Sequence, residues 1–185
     1  DITLVNPTKK GYTFTGWTGT DLTNPSTNVT IPTGSTGNRS YTANYTINNY
    51  TLTIDPNGGE YNHSVNPIDI ANDYGTVITL DTPSRTGYTF TGWTLTGKGS
   101  LVDNTYTYSD GNGTVTANYE VITYNITYEG LTDAEITALN NPTTYTVENS
   151  IVLTNPQNRV DGEGDVSEVF TGWTYGETTT QNVNI

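Results

Sequence analysis

The residues best placed to do chemistry lie in one stretch, Asp161-Gly162-Glu163-Gly164-Asp165-Val166-Ser167-Glu168. Acidic oxygens at alternate positions, set apart by glycines, resemble the start of a calcium loop, where carboxylates at the first, third and fifth positions reach one ion. The pattern then stops. Val166 stands where such a loop turns on Gly, and no helix–loop–helix arrangement flanks it. A solvated acidic hairpin tip is the plainer reading of Asp161, Glu163 and Asp165, so no metal ligand is assigned.

Other constellations are thinner still. The chain has one histidine, His63, in a polar loop beside Asn62 and Ser64, and nothing around it forms a Ser–His–Asp arrangement. Carboxylates sit mainly in turns, as at Asp55, Asp81, Asp103 and Asp110, whereas glycoside hydrolysis needs two acids held at fixed separation in a cleft. There is no cysteine, hence no disulfide, thiolate ligand or thiol nucleophile. Lys9, Lys10 and Lys98 are the lysines available for a Lys–Asn isopeptide staple, but no paired acid is placed to promote one. Asn28, Asn38, Asn44, Asn49, Asn62, Asn112 and Asn125 fit the Asn-x-Ser/Thr acceptor pattern, which matters only in a host that glycosylates exported Asn. No catalytic, cofactor-binding or metal-binding residue is assigned, no cofactor is implied, and the chain reads as non-enzymatic.

The elements that would position any site are strands. Thr makes up about a fifth of the 185 residues, and Tyr, Val and Ile fit a pleated, half-buried surface, while Gly, Pro and Asn punctuate turns. The formal net charge is −13, and six basic residues cannot form the Lys/Arg stripe that phosphate neutralisation requires. Nucleic acid and anionic membrane are therefore not expected partners. No apolar run approaches a membrane span.

One phrase organises the chain. Gly11-Tyr12-Thr13-Phe14-Thr15-Gly16-Trp17-Thr18 returns letter for letter at Gly87 to Thr94, and again with its front altered at Val169-Phe170-Thr171-Gly172-Trp173-Thr174. Around it lie Asn49 to Ile54 with a turn at Asp55-Pro56-Asn57-Gly58-Gly59, the strand Val77 to Leu80, a strand at Thr105 to Tyr108, and Val115-Thr116-Ala117-Asn118-Tyr119. The period divides the chain into a partial repeat at 1–46, a complete repeat at 47–120, and a third at 121–185 that lacks its last strand. Open edges of this kind suggest a window on a longer array, or completion by another copy. In the third repeat Thr132 and Glu135 form a capping box for a helix carrying Ala134, Ile136, Ala138 and Leu139, stopped by Pro142. Tyr145 to Leu153 reads as one strand, and Asn182-Val183-Asn184-Ile185 matches Asn28 to Ile31.

Alternation puts Tyr88 and Phe90 on one face and Trp93 on the other. The two large rings share a core only if the backbone bulges near Thr91–Gly92, so a bulge and a mostly buried Trp93 are predicted. Leu52, Ile54, Ile78, Leu80, Phe90, Ala117 and Tyr119 are the predicted core of the middle repeat; Ile126, Ile136, Leu139, Ile151, Leu153 and Phe170 are that of the third. Tyr106 and Tyr108, or Tyr124 and Tyr128, are the surface tyrosines a carbohydrate-binding module would use.

The series Tyr50-Thr51-Leu52-Thr53-Ile54-Asp55-Pro56-Asn57-Gly58-Gly59, Ile78-Thr79-Leu80, Gly87 to Trp93 and Thr116 to Tyr119 resembles the Listeria–Bacteroides repeat, also called the internalin B-repeat, most closely over Asn49 to Tyr119. The resemblance implies a mainly β (α+β) fold of tandem small β-grasp-like modules, each a short sheet crossed by one helical or irregular segment, strung as an elongated rod. It further implies an extracellular cell-surface stalk or adhesin, with self-assembly into a filament or glycan binding as alternatives. Neighbouring repeats, other copies of the chain, or a surface glycan or protein are its expected partners; it offers no catalytic residues to carry over.

Overall fold

The computed structural model describes residues 1–175 and 178–180. The chain is mainly β, with one short helix and several small sheets rather than a barrel. Its contacts group into two units, Asp1–Thr86 with Phe90–Tyr119, and Gly87–Thr89 with Glu120–Ile185.

The first unit opens with β1 (Ile2–Thr3), β2 (Tyr12–Gly19), β3 (Leu22–Ser26), β4 (Thr30–Ile31) and β5 (Tyr41–Ile47). β2, which carries the first copy of the phrase, is central in a three-stranded sheet between β3 and β5, while β1 pairs with β4. Asn48 then joins this part to the next. Its N–H donates to the Gly11 carbonyl at 2.9 Å, its own carbonyl accepts from the Tyr74 N–H at 2.8 Å, and its Oδ1 accepts from the Thr13 hydroxyl at 2.6 Å. The Tyr74 ring lies in front of Gly11, where a Cβ would come within 2.1 Å of it, so only glycine admits this contact.

The chain continues through β6 (Asn49–Asp55), β7 (Ile68–Asp73), β8 (Val77–Thr79), β9 (Tyr88–Gly97), β10 (Ser100–Val102), β11 (Thr105–Thr107) and β12 (Gly113–Val121). They form a four-stranded sheet in the order β7-β6-β12-β9 and a three-stranded sheet in the order β10-β11-β8. β12 runs parallel to β6, with Gly113 opposite Leu52 and Val115 opposite Ile54. Alternation turns Leu52, Ile54, Val115 and Ala117 into one core with Tyr61, Leu80, Trp93, Tyr106 and Tyr108, and leaves most threonines outward or at the margin. Ile78, Phe90 and Tyr119 pack against this core partly buried, as predicted for that face.

Two readings of this region need correction. The stretch after the Gly58-Gly59 turn is not merely an irregular crossing: it ends in β7, antiparallel to β6, because Ile68 and Ile70 alternate with Asp69 and Ala71 and supply an edge strand with one apolar face. Tyr106 and Tyr108 are not surface residues. They are 0% and 1% exposed, their rings meet edge to face at 5.0 Å, and their hydroxyls donate to the Lys98 and Ile70 carbonyls. An amphipathic side chain whose hydroxyl finds a backbone acceptor is as much at home in a core as on a surface.

The second unit carries β13 (Tyr124–Asn125), α1 (Asp133–Leu139), β14 (Thr144–Tyr145), β15 (Arg159–Val160), β16 (Val166–Glu168), β17 (Trp173–Tyr175) and β18 (Thr178–Thr180). The capping box is present. The Thr132 hydroxyl accepts from the Glu135 N–H and the Glu135 carboxylate accepts from the Thr132 N–H, and Asn140 ends the helix in a left-handed conformation. The predicted strand from Tyr145 to Leu153 is broken, because Asn149 Oδ1 accepts from the Thr146 N–H and hydroxyl and folds a turn there. Ile151 and Leu153 are buried as predicted, whereas Ile136 and Leu139 are only half-buried, as are Ile126 and Phe170, which border an open cleft. The Asn182–Ile185 match lies outside the described residues.

Candidate functional site

The phrase builds the same aromatic pair three times. Phe14 meets Trp17 edge to face at 5.6 Å between centroids, Phe90 meets Trp93 at 5.3 Å, and Phe170 meets Trp173 at 5.4 Å. The means is the predicted bulge. In β2, Phe14 faces Tyr45 and Gly16 faces Asn44, so Thr15 is an extra residue and the alternation slips by one. Gly16, Gly92 and Gly172 share φ values of 134°, 136° and 144°, a backbone that side chains rarely adopt. With the phase reset, Trp93 turns inward and is 9% exposed. Asn44 closes the bulge in the first copy, its amide donating to the Gly16 carbonyl and to the Thr18 hydroxyl at 3.0 Å each. That glycosylation acceptor is thus already engaged through its side-chain nitrogen.

The three indoles differ in one respect. Trp17 Nε1 donates to Asn6 Oδ1 at 3.1 Å, and Trp173 Nε1 donates to Asn155 Oδ1 at 2.9 Å. Each Asn lies in a Leu-x-Asn-Pro stretch, Leu4 to Pro7 and Leu153 to Pro156; the corresponding stretch, Leu80-Asp81-Thr82-Pro83, has Thr. Trp93 Nε1 is buried without a hydrogen-bond partner among the described residues. A buried donor left unmet is destabilising, and supplying its acceptor recovers about 1 kcal/mol. Thr82→Asn is therefore expected to raise the unfolding midpoint, and Thr82→Val, which offers no acceptor, is expected not to. Denaturant titration of the two variants measures the difference.

The acidic stretch forms a hairpin. β15 and β16 pair antiparallel, and Asp161 Oδ1 accepts from the N–H groups of Glu163 and Asp165 at 2.9 and 3.0 Å. Asp161 is thus occupied in shaping the turn, and among the described residues no group of three or more His, Cys, Asp or Glu is arranged to hold a metal. The hairpin's stem carries a cluster of ion pairs. Arg159 bridges Glu135, with Nε to Oε1 at 2.8 Å and Nη2 to Oε2 at 2.8 Å, and also pairs with Glu168. The Arg159 guanidinium, helped by the Thr132 N–H and hydroxyl, holds the Glu135 carboxyl down from 4.5 to about 2. A carboxylate depressed on folding stabilises fully above its unfolded value, and that contribution fades as pH falls toward the folded one. Helix signal in the second unit is expected to weaken between about pH 4.5 and 2. Arg159→Gln should return the Glu135 titration, followed by its carboxyl NMR resonance, toward 4.5.

The remaining candidates resolve individually. His63 is fully exposed, 3.6 Å from Glu60. The Lys9 ammonium stands 3.7 Å from the centroid of the Tyr12 ring, a cation–π contact. Tyr124 is exposed and stacks on Tyr145, and Tyr128 is half-buried with its hydroxyl donating to the Pro142 carbonyl. The core role of Tyr61, missed in the sequence, could have been found from the Gly58-Gly59 turn that sends the chain back over the sheet. Within the second unit a cleft of about 540 Å³ opens between residues 126–131 and 168–174, with Leu153 and Arg159 also lining it.

Compared with known proteins, residues 1–49 and 50–123 each match the family model described as the divergent InlB B-repeat domain. No curated protein and no solved structure matches the chain significantly.

Proposed function

We propose a function from one premise: the chain belongs to the divergent InlB B-repeat family. Repeats of this family are structural modules of surface proteins, and no helix among the described residues is long and apolar enough to cross a membrane. On our reading the chain is a non-catalytic extracellular segment of a cell-surface protein, a stalk or adhesin that projects or attaches. Its three parts, 1–46, 47–120 and 121–185, act as β-grasp-like modules in an elongated array. The parallel pairing of β6 with β12, beside the antiparallel pairing of β6 with β7, supports the β-grasp reading.

The observation that carries the proposal is the use of the conspicuous side chains. The phrase's Trp and Phe pack on each other in all three copies, and in the middle copy they pack into a core, so the repeated feature holds modules together rather than addressing a ligand. The partners proposed are neighbouring repeats and a surface glycan or protein met by the array. Antibodies raised against the chain are expected to label intact producing cells. Labelling that requires lysis would overturn the reading.

A further inference from the structure

The phrase's Phe, second Gly and Trp serve the bulge and the aromatic pair, which leaves its opening Gly-Tyr to be accounted for. Gly11 and Gly87 are both buried, with φ values of 77° and 76°. At each, one apolar side chain fills the space that a Cβ would take. The nearest atom at Gly11 is Cγ of the Tyr74 ring and the nearest at Gly87 is a Val147 methyl, each 2.1 Å from the would-be Cβ. Tyr74 and Val147 hold the same place in successive repeats, Tyr74 to Leu80 matching Val147 to Leu153. They stand in the same turn: the Thr76 N–H donates to the Asp73 carbonyl and the Asn149 N–H to the Thr146 carbonyl, both at 3.1 Å.

The glycine carbonyls are also taken alike. Gly11 accepts from the Asn48 N–H at 2.9 Å and Gly87 from the Ile122 N–H at 2.8 Å, and Asn48 and Ile122 directly follow β5 and β12. The phrase's Tyr adds a side wall. The Tyr12 ring lies 6.5 Å from that of Tyr74, and the Tyr88 hydroxyl donates to the Glu148 carboxylate at 2.6 Å. In the third phrase these two positions are Ser167 and Glu168, and both serve the hairpin stem through Arg159. Gly11 and Tyr74 lie within the first unit, and Gly87 and Val147 within the second, so the construction occurs once in each.

We infer that the opening Gly-Tyr of the phrase is a seat for one apolar turn residue of the repeat that follows, and that in the first unit this seat locks 1–46 to 47–120 as one body. The seat takes a flat ring or a branched methyl pair, so it requires an apolar occupant and a floor without a Cβ. Only Asn48 links β5 to β6, and its N–H, carbonyl and Oδ1 are all bonded, which leaves the link little freedom. The seat stands whether or not the chain is a surface stalk.

The test follows amide exchange and nitrogen relaxation by NMR in the whole 185-residue chain and its variants. Tyr74→Ala empties the seat and Gly11→Ala blocks it. Gly34→Ala, at a φ of 84° with nothing within 4 Å of the would-be Cβ, carries backbone strain alone. Exchange at Asn48 is expected to quicken about ten-fold or more in the first two variants and to hold in the third, with Leu52 and Val115 still protected in all. Val147→Ala is expected to quicken Ile122 and not Asn48. The rotational correlation time of β2 with β5 is expected to equal that of β6 with β12 in the native chain, and to part from it in Tyr74→Ala. Equal quickening at Asn48, Leu52 and Val115 would make Tyr74 an ordinary core residue and overturn the seat, and an unchanged Ile122 in Val147→Ala would overturn its recurrence. Correlation times that stay together in Tyr74→Ala, or that already differ in the native chain, would overturn the lock.

Discussion

Trp93→Ala is expected to remove on the order of 3–5 kcal/mol, a large part of what a small domain possesses. Trp93 is buried in a core of nine residues and contacts Tyr61 and Phe90 edge to face at 5.7 and 5.3 Å. Truncation leaves a cavity walled by two rigid rings and the β6–β12 pair, which cannot collapse without breaking the sheet. Denaturant unfolding should show the loss, and amide protection at Leu52, Ile54 and Val115 should fall with it. Trp17→Ala is expected to be milder, because Trp17 is only half-buried and its indole partner Asn6 is exposed. Equal losses at the two positions would mean that the phrase contributes through its backbone and not through burial of its ring.

The second large effect is expected at Gly16→Ala. The backbone there has a φ of 134°, where a side chain is strained by about 1–3 kcal/mol. A Cβ would also lie 2.8 Å from the Ser26 nitrogen and 3.1 Å from the Pro25 carbonyl carbon, backbone atoms of β3 that cannot swing aside. Gly92 has nearly the same φ, 136°, but no atom within 4 Å of its would-be Cβ. Gly92→Ala therefore isolates the conformational strain, and the excess loss in Gly16→Ala measures the clash with β3. Chemical denaturation of both variants checks the pair. If Gly92→Ala were neutral, the bulge would not need glycine and the phase reset that buries Trp93 would need another cause.

The bulge was legible because one residue of slip is the only way Phe90 and Trp93 can meet, and two glycines bracket the place. The capping box was legible for a similar reason: Thr132 and Glu135 satisfy each other locally and require no knowledge of the rest of the fold. What escaped depended on distant partners. Tyr106 and Tyr108 look like surface aromatics until Lys98 and Ile70 bring carbonyls to their hydroxyls. β7 was hidden because Ile68 and Ile70 stand among Asn, Asp and Pro, and the pairing that makes them a strand lies across the turn in β6. The acidic stretch was readable as a hairpin tip, and what the sequence did not show is that Asp161 Oδ1 accepts from two backbone N–H groups of its own turn.

The central proposal is that the repeats are strung along a surface protein as a non-catalytic array. Small-angle scattering of the purified 185-residue chain tests it most directly. A compact globule of this length would have a radius of gyration of about 16 Å. The account predicts a value well above that, with a skewed pair-distance distribution bearing a long tail. A value near 16 Å with a symmetric distribution would contradict it.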